Sequence, residues 1–294
     1  MSDPLFSEKT TREPRVVSTS PSGTEICYAL GVEPVAVSHS CDYPPEVAEL
    51  PVIDRSRVEG DGSAERHESV GEAAQSGGVY EVDEALLSEL GPDLVLTQSI
   101  CGVCAVDETL VRRVLDDDSI EVLGLSANTF EDVLASVRQV GEATGAERRA
   151  EKLIDVCRRR VADVRRATPD DGPRVAVVEW MDPLRVAGNW VPDLVTAAGG
   201  EYGLVASNGR SAEVDWDDFR EYAPEVVVVA PCSYGVAETK EHFDELAGRP
   251  RWESLPAVQT DRVHVVDGAV LNRWTPRLVD ALDDFAETFH PNGV

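Results

Sequence analysis

The sequence predicts an α/β protein of two similar lobes, each a parallel-type sheet flanked by helices, with one long helix joining them. Short β-branched runs alternate with amphipathic helical stretches, which is typical of parallel sheets covered by helices. Residues 86–101 and 219–232 share one pattern: a helix end, a Pro-acid stop, an aliphatic strand and a loop with cysteine. A long charged stretch with an apolar stripe lies between the two copies.

Residues 14–45 predict a strand, a tight turn, a short helix, a second strand and a polar loop. Ser20 and the following proline end the first strand, and Gly31 ends the helix. The spacing of Ser22 and Glu25 predicts a capping box at the helix start. Open α/β sheets bind ligands at the carboxyl ends of their strands, so this unit is a candidate wall of a binding site.

The remaining elements divide the chain into lobes. Residues 49–78 are charged, rich in glycine and weakly periodic, which predicts an irregular surface loop. Helices are predicted at 83–90, 107–115, 129–143, 192–198 and 217–222, and strands at 94–97, 120–124, 174–180 and 225–230. A disordered N-terminus (1–14) precedes an N-terminal lobe (15–145), a connecting helix (146–168) and a C-terminal lobe (173–294).

The charge balance is strongly acidic. The chain holds 55 acidic and 27 basic residues, a net charge of −28, and its isoelectric point is about 4.4. Such a field repels nucleic acids and anionic membranes, which excludes both as partners. The acidic residues are spread through periodic apolar segments, so disorder is a poor explanation. We interpret them as a solvated surface suited to high salt, which makes a halophilic source a hypothesis.

The N-terminal segment predicts a cytoplasmic protein. Residues 1–14 contain no apolar core of a signal peptide, no twin arginine and no lipid-attachment cysteine. A mis-assigned start codon would leave an extracytoplasmic location as the alternative. No stretch approaches the roughly 18 apolar residues of a membrane span, so no membrane insertion is expected. The six cysteines do not form the pattern of a disulfide framework.

The loops that follow the strands carry the unusual side chains. If the carboxyl ends of both sheets face one another, these two sets meet across a cleft. Three of the five tryptophans lie in these loops, which favours an aromatic-lined pocket over ordinary core packing. The first lobe contributes Ser20, Pro21, Ser22, His39, Cys41, Asp42, Tyr43 and Gln98, and the second contributes Trp180, Asn189, Trp190, Cys232, Tyr234, Asn272 and Trp274.

Cys101 and Cys104 form a CxxC pair in one of these loops. Zinc needs four ligands, and no second pair completes the set in sequence, so reduced thiols lining a pocket are favoured over a metal or redox site. The sequence has no nucleophile elbow, phosphate-binding glycine loop or HExxH motif. We therefore expect neither an enzyme nor a resident cofactor.

SPSGTE followed by CDYPP resembles the opening of the vitamin B12-binding proteins of ABC importers. The similarity covers most of residues 14–290 and includes PDLVLTQ, DPLRVAGNWVPDLVTAAGG, APEVVVVAP and RWTPRLVDAL. Those proteins belong to the helical-backbone class of periplasmic substrate-binding proteins, whose members also hold haem, siderophores and metal ions. The resemblance implies a non-catalytic monomer that binds a cobalamin-type corrinoid between its lobes with little hinge motion and serves an ABC transporter permease.

The resemblance also assigns residues. Ser20, Pro21, Ser22, Asp42 and Tyr43 approach the ligand from the first lobe, and Trp180, Trp190 and Trp274 from the second, to which the strand-end argument adds Gln98 and Asn189. A corrinoid suits such a site because its ring faces are apolar and its amide rim needs scattered hydrogen-bond partners. Acidic residues that dock to arginines of the transporter correspond to Glu84 and to Asp217 or Asp218.

Two alternatives stay open. One is a haem, siderophore or metal-ion binder on the same fold. The other is a cytosolic factor of corrinoid or metal-cofactor handling that uses the thiols of Cys101 and Cys104. His39 and Cys41 receive no role from the resemblance.

Overall fold

The computed structural model describes residues 12–76, 78–99, 106, 108–115, 119–169, 171–206 and 208–291. Its strands are β1 (Val16–Ser18), β2 (Asp54–Ser56), β3 (Tyr80–Val82), β4 (Leu94–Gln98), β5 (Glu121–Leu125), β6 (Val175–Trp180), β7 (Arg185–Val186), β8 (Ala212–Glu213), β9 (Val226–Val229) and β10 (Val263–Val265).

Its α-helices are α1 (Pro21–Ala29), α2 (Ser63–Gln75), α3 (Glu84–Leu90), α4 (Glu108–Val114), α5 (Phe130–Thr144), α6 (Glu147–Ala167), α7 (Val191–Ala197), α8 (Trp216–Tyr222), α9 (Val236–Glu241), α10 (Asp244–Ala247), α11 (Pro256–Gln259), α12 (Gly268–Leu271) and α13 (Leu278–Phe289). Short 3₁₀ turns lie at Pro45–Glu49 and Trp252–Ser254.

The two lobes have corresponding sheets. In the N-terminal lobe three parallel strands have the order β1-β4-β5, and in the C-terminal lobe three parallel strands have the order β6-β9-β10. The C-terminal sheet continues through β7 and β8, which are antiparallel. Strand by strand the second lobe repeats the first, so the predicted two-lobed α/β fold is confirmed.

Helix α6 joins the lobes. It has 21 residues, which at 1.5 Å each gives a length of about 31 Å, and its buried face carries Ala150, Ile154 and Cys157. The helix packs against α5 of the first lobe and against α7 and α13 of the second. Ile26 from the first lobe and Leu282 from the second belong to one continuous apolar core with it. The lobes therefore share a core as well as a helix.

The predicted surface loop at 49–78 is wrong, because the segment contains β2 and the 13-residue helix α2. Only Ser63 and Ala73 of α2 are buried, so the helix shows no apolar stripe that periodicity can detect. Gly62 precedes it with φ 87°, a left-handed conformation that favours glycine.

The predicted capping box is also wrong. Ser20, not Ser22, is the N-cap of α1, and its hydroxyl accepts the backbone N–H of Gly23 at 3.3 Å. The Glu25 carboxylate instead binds two arginines of the other lobe.

Among the described residues, no helix is both long enough and apolar enough to cross a bilayer.

Candidate ligand site between the lobes

The loops at the carboxyl edges of the two sheets contact each other at a cluster that we call the Arg273 bridge: Glu25, Asp42 and Tyr43 with Arg273 and Arg277. Arg273 Nη1 donates to Glu25 Oε1 at 2.9 Å and to Asp42 Oδ1 at 2.5 Å. Arg277 Nη1 lies 3.3 Å from Glu25 Oε2, and its guanidinium lies 3.8 Å from the centroid of the Tyr43 ring. The bridge thus joins the first lobe to the loop after α12.

Two charges of this bridge, those of Glu25 and Arg273, are largely removed from water. The Glu25 side chain is 2% exposed and that of Arg273 is 14% exposed. Burial by itself lowers the pKa of Arg273, but hydrogen bonds and charge attraction from Asp42 and Glu25 outweigh it, so the pKa is raised overall. Nη2 of Arg273 also donates to the Ser40 carbonyl at 3.2 Å. Both terminal nitrogens of this guanidinium are therefore engaged by groups of the protein itself.

A second cluster, the Ser63 bridge, joins the start of α2 to the C-terminal lobe through Ser63, Trp180, Asp182 and Glu245. The Asp182 N–H donates to Ser63 Oγ at 2.9 Å, and Trp180 Nε1 donates to the Ser63 carbonyl at 3.1 Å. The Ser63 N–H donates to Glu245 Oε1 at 3.1 Å, and its hydroxyl donates to Glu245 Oε2. A helix that sequence patterning missed thus provides one of the contacts between the lobes.

Arg66 and Tyr234 continue the contact beside the Ser63 bridge. Arg66 Nη2 donates to Glu238 at 2.6 Å, and its guanidinium lies 4.5 Å from the centroid of the Tyr234 ring. Trp180 meets Tyr234 edge to face, with centroids 5.6 Å apart. Burial raises the pKa of Tyr234 to about 12, so the phenol is neutral and offers an apolar face.

The three predicted tryptophans do not lie together. Trp190 and Trp274 are 4% and 5% exposed and pack on each other with centroids 5.7 Å apart, inside the core that the lobes share. Trp190 Nε1 donates to the Leu271 carbonyl at 2.8 Å. Trp180 is half-buried and belongs to the Ser63 bridge. Only Trp180 has substantial exposed surface for a ligand in this conformation.

The predicted residues of the first lobe divide in the same way. Ser20, Ser22 and Gln98 are buried at the ends of β1 and β4, and Pro21 beside them is half-buried. Asp42 and Tyr43 are exposed and belong to the Arg273 bridge.

Asn189 is the remaining predicted ligand residue. It has φ 54°, and its buried Oδ1 has no hydrogen-bond partner among the described residues. A buried amide oxygen of this kind is available to a donor.

The predicted docking residues are exposed on corresponding helices. Glu84 begins α3, which precedes β4, and Asp217 and Asp218 lie in the first turn of α8, which precedes β9. Asp217 also accepts from Arg220 of its own helix at 2.6 Å. The internal repeat therefore places the acidic residues at equivalent positions of the two lobes.

Cys101 and Cys104 lie outside the described residues. Within the described part of the chain, His, Cys, Asp and Glu side chains form no group of three or more that could hold a metal ion.

His39 and Cys41 have different surroundings although they share a loop. His39 Nδ1 lies 2.7 Å from Oδ1 of Asp54, a residue whose side chain is 0% exposed. Cys41 Sγ lies 3.2 Å from Thr24 Oγ1, and burial raises its pKa to about 11. Cys41 is therefore a neutral thiol at neutral pH.

Sequence reasoning missed the groups that join the lobes: Arg273, Arg277, Ser63 and Arg66, together with the pairing role of Glu25. The segment RWTPR holds two arginines within five residues, although the chain has only 27 basic residues in all. This local concentration of positive charge was a signal for a paired site, and no motif search used it. Their partner Glu25 lies 248 residues from Arg273, so no local spacing reveals the pair.

Two α/β lobes joined by a continuous helix, with strand-end loops in contact with each other, form an arrangement that is suited to a small-molecule site between the lobes. The chain belongs to the periplasmic binding protein family, whose model matches residues 16–270. That family includes the substrate-binding proteins of ABC importers, which are non-catalytic and interact with permeases.

Two curated relatives illustrate the similarity. An uncharacterized ABC transporter substrate-binding lipoprotein, YvrC, from Bacillus subtilis is 26% identical over 292 residues, covering 96% of this chain and 82% of the relative. A vitamin B12-binding protein from Vibrio cholerae is 23% identical over 278 residues, covering 92% and 86%. The resemblance seen in the sequence is thus confirmed for the family, and the ligand stays a prediction.

Solved structures show the same fold. A periplasmic heme binding protein from Pseudomonas aeruginosa superposes with a TM-score of 0.73 at 20% identity, covering 96% of this chain and 95% of that one. The periplasmic vitamin B12 binding protein of Vibrio cholerae superposes with a TM-score of 0.67 at 21% identity, covering 94% and 96%.

Proposed function

We propose that this chain is the substrate-binding component of an ABC importer and that it holds a cobalamin-type corrinoid between its lobes. The observation that carries the proposal is the charge balance of the Arg273 bridge. Arg273 and Arg277, the arginines at the contact between the lobes, are paired with the carboxylates of Glu25 and Asp42. A ligand without carboxylates, such as an amide-rimmed corrinoid, leaves this pairing intact.

The charge of the whole chain supports the same choice. A net charge of −28 repels anionic ligands at a distance, whereas a neutral or cationic corrinoid is not repelled. The exposed Tyr43 and the half-buried Trp180 offer aromatic surface that is suited to the apolar ring faces of such a ligand. Relatives named vitamin B12-binding protein agree with this assignment.

Haem on the same fold is the alternative, and the two arginines are the observation that favours it. Haem propionates bind well to paired guanidinium groups. To bind haem, Arg273 and Arg277 would have to release Glu25 and Asp42 and pair with the propionates instead. The buried carboxylate of Glu25 would then be left unpaired. We rank it second for that reason.

Titration with cyanocobalamin in high-salt buffer, followed by tryptophan fluorescence and by calorimetry, tests the proposal. We expect saturable binding of one corrinoid per chain and weaker binding of haemin. Replacing Tyr43 or Trp180 by alanine should weaken cyanocobalamin binding about tenfold, or ~1.4 kcal/mol. The half-buried Tyr28 on α1 provides a matched control, and its replacement by alanine should leave the affinity unchanged. Absence of saturable binding would overturn the proposal.

Two further parts of the proposal concern delivery. Glu84 and one of Asp217 and Asp218 dock to cationic residues of the permease. A role in import also requires the chain to work on the outer side of the membrane, which is the alternative to the cytoplasmic location that its N-terminal segment predicts. Charge reversal of Glu84 together with Asp217 should abolish association with permease-containing membranes, and reversal of the exposed Glu287 should not. Protease added to cells whose outer envelope has been removed, with the cytoplasmic membrane intact, should degrade the protein; full protection there would place it in the cytoplasm and contradict a role in import.

A further inference from the structure

His39 is held in one tautomer by a buried carboxylate. Asp54 Oδ1 accepts the backbone N–H of His39 at 2.8 Å and the hydroxyl of Ser38 at 3.0 Å. The same oxygen lies 2.7 Å from His39 Nδ1, so the ring nitrogen must donate its proton to it. In the neutral imidazole, a proton on Nδ1 puts the lone pair on Nε2.

The second ring nitrogen is open. The His39 side chain is 32% exposed, and its ring packs against Tyr80 with centroids 5.7 Å apart. Nε2 has no hydrogen-bond partner among the described residues. The ring is therefore fixed on one side and free on the other.

The loop that carries this nitrogen contacts the other lobe. His39 follows Val37 at the carboxyl edge of the first sheet, and Asp42 of the same loop binds Arg273 from the other lobe. Ser40, the residue after the histidine, also contacts Arg273 through its carbonyl, so His39 is directly next to a contact between the lobes. A molecule held between the lobes lies within reach of this loop.

We infer that His39 is a metal ligand in the bound state, and that Nε2 takes the exchangeable axial position of the cobalt in a corrinoid held in the cleft. A histidine that binds a metal through one nitrogen commonly donates the other N–H to a carboxylate, as His39 does to Asp54. In the step the Nε2 lone pair forms the Co–N bond and a cobalt-bound water leaves, without any change of oxidation state. The inference rests on the proposed function, because that function puts the corrinoid there.

Cys41, two residues along the loop, does not supply this ligand. Its sulfur is engaged with Thr24 Oγ1 at 3.2 Å. Asp54 acts as a positioning residue, since it touches the imidazole and not the metal.

The test compares aquocobalamin, whose axial water exchanges, with cyanocobalamin, whose cyanide does not. Tryptophan quenching measures binding, and the visible absorption bands of the corrinoid report replacement of water by imidazole. We expect a band shift when the full chain binds aquocobalamin and none with cyanocobalamin. His39→Ala should abolish the shift and weaken aquocobalamin binding at least tenfold, while cyanocobalamin affinity changes by less than about twofold.

His67→Ala is the matched control, because His67 is exposed on α2, and it should retain the shift. Asp54→Asn should reduce the band shift and alter the dependence of that shift on pH. Thermal unfolding of each variant shows whether it is folded. A band shift that persists in His39→Ala, or is absent when the unmodified chain binds aquocobalamin, overturns the inference and leaves the proposed function standing. If neither corrinoid binds, both fail. If only haemin binds, with a Soret shift that His39→Ala removes, the histidine is a ligand but the corrinoid assignment is overturned.

Discussion

The carboxylate of Glu25 shows how one residue couples the two lobes. It is buried on the first turns of α1, and its two oxygens accept from Arg273 and Arg277, which come from the far end of the chain. A buried carboxylate is costly unless it is paired and hydrogen-bonded. Pairing of Glu25 therefore depends on the lobes keeping their present arrangement.

Replacing Glu25 by glutamine should destabilise the protein strongly. Removing one partner of a buried ion pair costs about 3–5 kcal/mol, because the other charge is left uncompensated. Arg273 keeps Asp42, and the Arg277 side chain is 31% exposed, so we expect a loss near the lower end of that range. Urea unfolding followed by circular dichroism measures it.

Asp42→Asn is the matched control for this experiment. The Asp42 side chain is 65% exposed, and exposed ion pairs contribute at most about 1 kcal/mol. Equal losses for the two variants would show that burial of Glu25 does not set the strength of the bridge.

At the scale of elements, α2 has the most distinctive role. Most of its residues are solvated, and its hydrogen bonds to the other lobe, among the described residues, come from Ser63 and Arg66 at its start. Its docking thus depends on a few polar contacts and not on an apolar stripe.

Ser63→Ala should release the start of α2 from the C-terminal lobe. The change removes the hydroxyl that accepts the Asp182 N–H and donates to Glu245, which leaves these groups unsatisfied at a cost of about 1–3 kcal/mol. Hydrogen exchange of the α2 amides should accelerate. Ser76→Ala, just beyond the exposed end of the helix, should change the free energy of unfolding by less than about 0.5 kcal/mol. Unchanged exchange in Ser63→Ala would show that the Ser63 bridge does not anchor the helix.

Elements with a strong apolar pattern were predictable from the sequence. Helix α6 lies within one residue of the predicted 146–168 at each end, and β4 and β9 follow from their aliphatic runs. Helix α2 was not predictable, because 2 buried positions in 13 residues give no period. Periodicity in the sequence detects helices and strands that bury one face. It does not detect an element such as α2, which is fixed by contacts at one end.

The candidate site was less predictable than the fold for a related reason. Strand-end loops marked Asp42, Tyr43 and Trp180 correctly as residues near the contact between the lobes. Trp190 and Trp274 occupy similar loops but pack into the shared core, and a sequence does not show which way a loop side chain turns. The arginine partners of Glu25 are a property of tertiary structure.

At the scale of the whole molecule, the net charge of −28 opposes folding through self-repulsion. Screening shortens the reach of this repulsion from about 10 Å at 0.1 M salt to about 3 Å at 1 M. We therefore expect the melting temperature to rise with sodium chloride and to level off towards molar concentration. Sucrose at equal water activity serves as the control for general exclusion effects. A melting temperature that is flat or falls with salt would contradict an acidic surface suited to high salt.

The shared core and the continuous α6 predict little motion between the lobes. Motion about a hinge needs a few residues that absorb large backbone changes, and α6 is helical from Glu147 to Ala167 with both lobes packed on it. A chain of this length has a radius of gyration of about 19 Å, and we expect saturation with cyanocobalamin to change it by less than about 0.5 Å in small-angle scattering. The double variant Arg273→Ala with Ser63→Ala breaks both bridges. Its radius of gyration should also change by less than about 0.5 Å on saturation, because the helix and the shared core remain. A contraction of the unmodified chain by more than about 1 Å would show that the lobes close on the ligand by a hinge, and α6 would then have to bend.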